Sequence, residues 1–137
     1  MSLLAAFNPG TTRIQVATTT IDLKQSAAAY TLFTGTTQDV IVESLVIRLP
    51  DVNCADDSSL TSIKIDTDDT TAAEFITAVA GDVANLTAEA QLAYAGAIMV
   101  KVGTIIQLTI AGGAADDTTV CDVTAMYRAV LDGGRLV

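Results

Sequence analysis

Residues 118–130 read TTVCDVTAMYRAV, and the alternation of side chains in this stretch decides the fold. One set is apolar and consists of Cys121, Val123, Ala125, Tyr127 and Ala129. The intervening set includes Asp122 and Arg128. Because successive side chains of a strand point to opposite faces, this period of two predicts a β-strand with one face in the core and one at the surface.

The same period of two recurs in several stretches that precede this strand. Residues 39–49 are rich in β-branched side chains and end at Pro50, which opens a turn. Residues 60–66 place Ile63 and Ile65 on one face. Shorter candidate strands are residues 13–16, 30–33 and 74–78.

Gly103 separates two further alternating runs, which carry Ile98 and Val100 before it and Ile106 and Leu108 after it. Two strands around one glycine predict either a tight hairpin or one long strand with a kink.

Residues 85–95 are open to two interpretations. A short helix capped by Asn85 is one, because alanine and Glu89 favour helix. The alternation of Leu86, Leu92 and Tyr94 with polar or small residues favours a strand, which we prefer.

About eight strands separated by turns rich in Gly, Asp and Ser predict one all-β domain, an antiparallel β-sandwich. A jelly-roll-like sandwich is the natural eight-stranded form, and an immunoglobulin-like sandwich is the alternative, although its strand tryptophan is missing. We expect residues 13–130 to form the sandwich. Residues 1–12 and 131–137 lack alternation and are expected to be an extended N-terminal arm and a C-terminal tail.

Composition limits the partners. The chain has 137 residues and a net charge of −9, whereas a nucleic-acid binder needs a basic face to neutralise phosphates. No apolar run approaches the ~20 residues that span a bilayer. We therefore expect no nucleic-acid partner and no membrane partner, and synthesis in the cytosol.

The repertoire for catalysis is small. The chain has no histidine, and its two cysteines, Cys54 and Cys121, are expected to be unpaired thiols. No nucleophile elbow or phosphate-binding loop occurs. We expect a protein that is not an enzyme and uses no cofactor and no metal. A hydrolase that uses paired carboxylates is the remaining catalytic alternative.

The run Asp66-Thr67-Asp68-Asp69 has the acidic start of a calcium loop. It lacks the glycine at the sixth position, and Thr77 stands at the twelfth position, where a bidentate glutamate belongs. An EF-hand is excluded, and solvated loop carboxylates are the expected state. An irregular calcium site is the alternative, because the acidic pairs Asp56-Asp57 and Asp116-Asp117 lie in other loops.

Both ends of the chain carry apolar side chains that are costly to leave in water. We expect these to contact a second subunit or another protein; the candidate contact residues are Leu3, Leu4, Phe7, Leu136 and Val137.

Two stretches resemble small virion structural proteins of tailed bacteriophages and prophages. They are residues 18–50 (TTTIDLKQSAAAYTLFTGTTQDVIVESLVIRLP) and residues 101–130 (KVGTIIQLTIAGGAADDTTVCDVTAMYRAV). The resemblance lies in the order of the strands and in the pattern of residues along them. It implies a head decoration (cement) protein with a jelly-roll-like fold, a homo-oligomer (dimer or trimer) on the virion capsid surface. Its partner would be the major capsid protein, whose neighbouring capsomers it would clamp together. A host-receptor or glycan-binding module on the same fold is the alternative.

Overall fold

The computed structural model describes residues 13–137, which form two antiparallel β-sheets packed around one core. The strands are β1 (Gln15–Asp22), β2 (Ala29–Thr36), β3 (Val40–Arg48), β4 (Ser62–Thr67), β5 (Glu74–Ile76), β6 (Gln91–Val100), β7 (Ile105–Ala111), β8 (Val120–Ala129) and β9 (Arg135–Leu136). A single 3-10 turn, Val83–Asn85, lies between β5 and β6. No α-helix occurs between residues 13 and 137, and so none that could span a membrane.

The strand order is that of a jelly roll. The four-stranded sheet has the order β1-β8-β3-β6, and the five-stranded sheet has the order β5-β4-β7-β2-β9. The chain is one long hairpin in which β1 pairs with β8, β2 with β7, β3 with β6 and β4 with β5. Pairing of β3 with β8 and of β4 with β7 rolls this hairpin into two sheets. The predicted all-β, jelly-roll-like sandwich is therefore confirmed.

The core is built of aliphatic side chains from both sheets. All five apolar residues of the alternating set in β8 are buried, as the sequence predicts. The facing strand β7 contributes Ile106, Leu108 and Ile110, and β4 contributes Ile63 and Ile65. The two sheets thus bury the apolar halves of their alternating patterns against each other.

A β-bulge at Glu43 keeps β3 in phase with the core. The inward side chains of β3, all fully buried, are Val40, Val42, Leu45 and Ile47. The spacing between the second and third of these is odd, and the register with both neighbouring strands shifts there. Relative to β8 the extra residue is Glu43, which pairs with Arg128 on the outer face, whereas relative to β6 the extra residue lies in β6, between Ala95 and Ile98.

The prediction at Gly103 is wrong in both its forms. β6 belongs to the four-stranded sheet and β7 to the five-stranded sheet, so the chain changes sheets between residues 100 and 105. The Gly103 amide donates to the Gly35 carbonyl at 2.8 Å, and the residue has a φ of 86°. Both flanking strands alternate because each faces the same core from an opposite side.

Residues 85–95 also differ from the prediction. Asp82, not Asn85, caps the 3-10 turn, with its Oδ1 accepting from the Ala84 amide at 2.9 Å. The preferred strand is correct only from Gln91 onward. Leu86 is fully buried although it lies in a loop, and this burial explains its apolar character.

The C-terminal residues complete the five-stranded sheet. β9 pairs with β2, and the amide and carbonyl of Val137 each bond to Thr34, at 3.0 and 2.7 Å. Residues 135–137 therefore differ from the expected tail, because their backbone joins the sandwich. The expected N-terminal arm, residues 1–12, lies outside the described residues.

Candidate interaction surfaces

The two thiols lie inside the sandwich and are unpaired. Burial raises the pKa of the Cys121 thiol to about 12, with the charges of Cys54, Asp22 and Asp122 adding to the effect. Burial also raises the pKa of Cys54. Since the thiolate is the nucleophile, both groups are held in their unreactive form.

The carboxylates of Asp66, Asp68 and Asp69, at the end of β4 and just after it, make three different contacts within the protein. Asp66 is buried, and its carboxylate pairs with Lys64 at 3.4 Å. Asp68 accepts from the Ile105 amide at 2.8 Å, and Asp69 from the Thr104 hydroxyl at 3.4 Å. Among residues 13–137, no three acidic or cysteine side chains are grouped closely enough to hold a metal ion.

Two other acidic pairs meet at one end of the sandwich. The Asp116 carboxylate accepts from the Ser58 hydroxyl at 3.0 Å, and the Asp116 amide donates to Asp57 at 3.3 Å. These contacts join the β3–β4 loop to the β7–β8 loop. With Asp56 and Asp117 alongside in sequence, this end concentrates part of the negative charge.

The surface of the described residues has open depressions. One of about 190 Å³ is lined by Arg13, Gln15, Asp132, Gly133, Gly134 and Arg135. Another, of about 520 Å³, is lined mainly by small side chains of the β5–β6 loop and the start of β4. Neither has the enclosed, mostly apolar form that is typical of small-molecule sites.

Of the five predicted contact residues, the structure describes two, and these two differ in their exposure to solvent. Leu136 is 5% exposed and packs in the core, so the structure corrects its assignment to an outer contact. Val137 is 67% exposed and remains available. Leu3, Leu4 and Phe7 lie outside the described residues.

Sequence reasoning missed the outer face of the four-stranded sheet. Cross-strand partners align Val16, Met126, Ser44 and Ala95 in one row across all four strands. The next row consists of Thr18, Thr124, Val46 and Ala93.

These two rows form an uncharged band, which we call the outer band. Val16 is 59% exposed and Met126 is 39% exposed. The ion pair between Arg128 and Glu43 borders the band on one side, and the pair between Arg48 and Glu89, at 3.5 Å, borders it on the other. Met126 in the outward set of β8 was the available sequence signal.

The chain is similar in structure to two bacteriophage capsid chains. A chain of the acidic stable capsid structure of Helicobacter pylori bacteriophage KHP30 matches with a TM-score of 0.58 and 14% identity, covering 90% of this chain and 92% of that one. A chain of the cyanophage Pam1 capsid asymmetric unit matches with a TM-score of 0.57 and 17% identity, covering 85% of both chains. The fold is that of these two phage capsid chains.

The likeness extends over almost the whole of each matched chain, so the three chains are of similar size. No protein-family model matches the sequence, and no curated protein matches it. The fold implied by the resemblance to phage virion structural proteins is thereby confirmed.

Proposed function

We propose that this chain is a structural component of a phage virion that decorates the capsid. The observation that carries the proposal is the nearly end-to-end structural match to two phage capsid chains of similar size. On this proposal, the chain is made in the host bacterial cytoplasm and is located on the capsid surface. There it binds the major capsid protein and bridges neighbouring capsomers.

The described surface supports a role in binding rather than catalysis. The thiols are buried and protonated, and the carboxylates of Asp66 and Asp68 are used in internal contacts. The outer band offers an uncharged, partly apolar surface on a rigid sheet. A decoration protein needs such contact surfaces and no reaction centre.

Binding to capsids tests the proposal. Purified protein mixed with undecorated capsids of its own phage should bind to saturation, with a fixed number of copies per particle. It should also raise the temperature at which the particles are disrupted. Capsids without added protein and capsids with an unrelated acidic β-sandwich are the controls. Absence of saturable binding would contradict the proposal, and glycan binding in its place would support the receptor-binding alternative.

The N-terminal residues are the second part of the proposal. Leu3, Leu4 and Phe7 are apolar, and residues 1–12 carry no charged side chain. We propose that this arm docks on a neighbouring subunit, where burial of its apolar side chains stabilises assembly. Deletion of residues 1–8 should lower capsid affinity and leave the circular dichroism spectrum and the melting temperature of the sandwich unchanged. An unchanged capsid affinity and oligomer mass would refute the role of the arm.

A further inference from the structure

The two ends of the sandwich can be told apart by strand register. β3 begins where β6 and β8 finish, because Val40 lies opposite both Val100 and Ala129. β1 and β7 begin at this end too, and β2 and β9 finish there. It carries Arg13 and Arg135, and we call it the arginine end. The opposite end, with the loops that follow β1, β3 and β7, we call the acidic end.

Most of the net charge of −9 is concentrated at the acidic end. Among residues 13–137, only Lys24 and Arg48 bring positive charge to it, and Arg48 is already paired with Glu89. The carboxylates of its loops include those of Asp51, Asp56, Asp57, Asp116 and Asp117. A surface of one charge sign repels every other acidic surface, so this end is poorly suited to contact an acidic protein.

At the arginine end, carboxylates are engaged with the backbone, whereas two guanidinium groups are not paired. The Asp39 carboxylate accepts from the Val102 amide at 3.0 Å, and the Asp68 carboxylate accepts from a backbone amide at 2.8 Å. Within the described part of the chain, neither Arg13 nor Arg135 forms an ion pair. Both are exposed, so their charge is available to a partner.

These two arginines line one depression of about 190 Å³. Asp132 is the one carboxylate among the described residues around it, so positive charge exceeds negative charge there. A guanidinium group binds a carboxylate through two parallel hydrogen bonds, which makes arginine suited to recognising acidic side chains. The depression therefore fits the aspartate or glutamate side chain of another protein.

Exposed apolar side chains gather at the same end. Two others, Val120 and Val79, lie toward the acidic end. Protein interfaces combine arginine and methionine with buried apolar area and are depleted in Asp and Glu, and the arginine end has this combination. Its exposed apolar residues are Ile14, Met99, Val102, Val130, Leu131 and Val137.

The apolar N-terminal residues join the sandwich at this end as well. Residues 1–12 carry no charged side chain and lead directly into Arg13. Leu3, Leu4 and Phe7 are thus attached to the arginine end and not to the acidic end. A contact made by the arm and a contact made by this end can therefore involve the same partner surface.

We propose that the arginine end is the face with which this chain binds its protein partner, and that Arg13 and Arg135 receive a carboxylate side chain of that partner. The exposed apolar side chains of this end pack on apolar side chains of the same surface. The acidic end then faces the solvent. This inference rests on the proposed function, in which the partner is the major capsid protein, and adds the face of contact and the chemistry that it recognises.

Charge changes at the two ends test the orientation. Arg135→Glu should lower the affinity of the full chain for undecorated capsids at least about tenfold, because repulsion of the partner's carboxylate replaces attraction. Arg135→Lys keeps the charge and should lose less affinity than Arg135→Glu. Lys24→Glu makes the same change in net charge at an exposed lysine of the acidic end, so it should bind as the wild type does.

A second pair of variants tests the apolar contact independently of charge. Leu131→Asn, at a 59% exposed residue of the arginine end, should lower capsid affinity at least about threefold, because less apolar area is buried on binding. Val120→Asn, at a 46% exposed residue of the acidic end, should leave the affinity unchanged. Thermal unfolding of each variant checks that the sandwich is intact.

The outcomes separate this inference from the proposed function. A loss of affinity confined to the arginine-end variants would support the orientation. If the wild type binds capsids, an unchanged affinity of Arg135→Glu, or an equal loss in Lys24→Glu, would overturn the inference and leave the proposed function in place. A wild type that does not bind capsids would remove the proposed function and this partner together.

Discussion

Thr119 is the residue at which several polar contacts of the sandwich converge. Its carbonyl oxygen accepts from the Cys121 thiol, and its hydroxyl contacts the Cys54 sulfur, each at 3.7 Å. Its amide donates to Asp22 at 2.9 Å, which ties the end of β1 to the start of β8. The sequence places Cys121 in the core through its alternation, but Cys54 lies in a loop, where no period indicates burial.

The raised pKa of Cys121 predicts a loss of stability in alkali. The folded chain keeps this proton between the ordinary pKa of 9.0 and about 12, whereas the unfolded chain releases it. The protonated Cys121 thiol therefore gives its full contribution to the free energy of unfolding below pH 9. This contribution is lost as the pH rises toward 12, by roughly 1 kcal/mol or more per pH unit. Urea denaturation at a series of pH values measures this slope. Cys121→Ala should make it shallower, and equal slopes in the two proteins would contradict the assignment.

Gly35 is required by a close approach of two backbones. A Cβ atom at this position would lie 2.5 Å from the Lys101 carbonyl oxygen, in the segment that carries the chain from β6 to β7. Gly35→Ala should therefore lower the free energy of unfolding by about 1–3 kcal/mol through overpacking.

Gly103→Ala is the matched control for this prediction. A Cβ atom there meets no atom within 4 Å, so only the positive φ is strained, at a cost of about 1 kcal/mol. Chemical denaturation of both variants measures the loss in the free energy of unfolding that each substitution causes. An equal loss in the two variants would show that crowding at Gly35 is unimportant.

Alternation identified most strands as elements but could not assign them to sheets. β3, β4, β7 and β8 follow closely from the period of two, because each has one face in the core. The crossing at Gly103 was missed because an inward face looks the same in either sheet. The bulge at Glu43 was missed because a single extra residue breaks a period without leaving a distinct composition.

β9 shows how a two-residue element escapes sequence reasoning. Two residues are too few for a period, so Leu136 was predicted as an outer contact, although its side chain is 5% exposed. Leu136→Ala should lower the free energy of unfolding by about 2–3 kcal/mol, because it leaves a cavity beside β2. Val137→Ala, at a 67% exposed position, should change it by less than about 0.5 kcal/mol. Thermal or urea unfolding of the two variants measures both; equal effects would contradict the packing role of β9.

At the scale of the whole molecule, the strand topology brings residues that are far apart in sequence together into distinct surfaces. The sequence predicts an acidic chain, yet only the fold brings Asp57 and Asp116, which are far apart in sequence, into contact at one end. The outer band likewise depends on the alignment of four strands, so its rows could not be read from any single segment. The proposed virion role could be inferred from the sequence only through the resemblance to virion proteins, because the sequence carries no recognised catalytic motif that would indicate a function.

The central claim is that this jelly roll acts on the outside of a phage capsid. Cryo-electron microscopy of undecorated capsids saturated with the purified chain tests it most directly. We expect density for the sandwich at regular positions on the outer surface, each copy touching two capsomers. Particles whose outer surface is the same with and without the added chain would contradict the account.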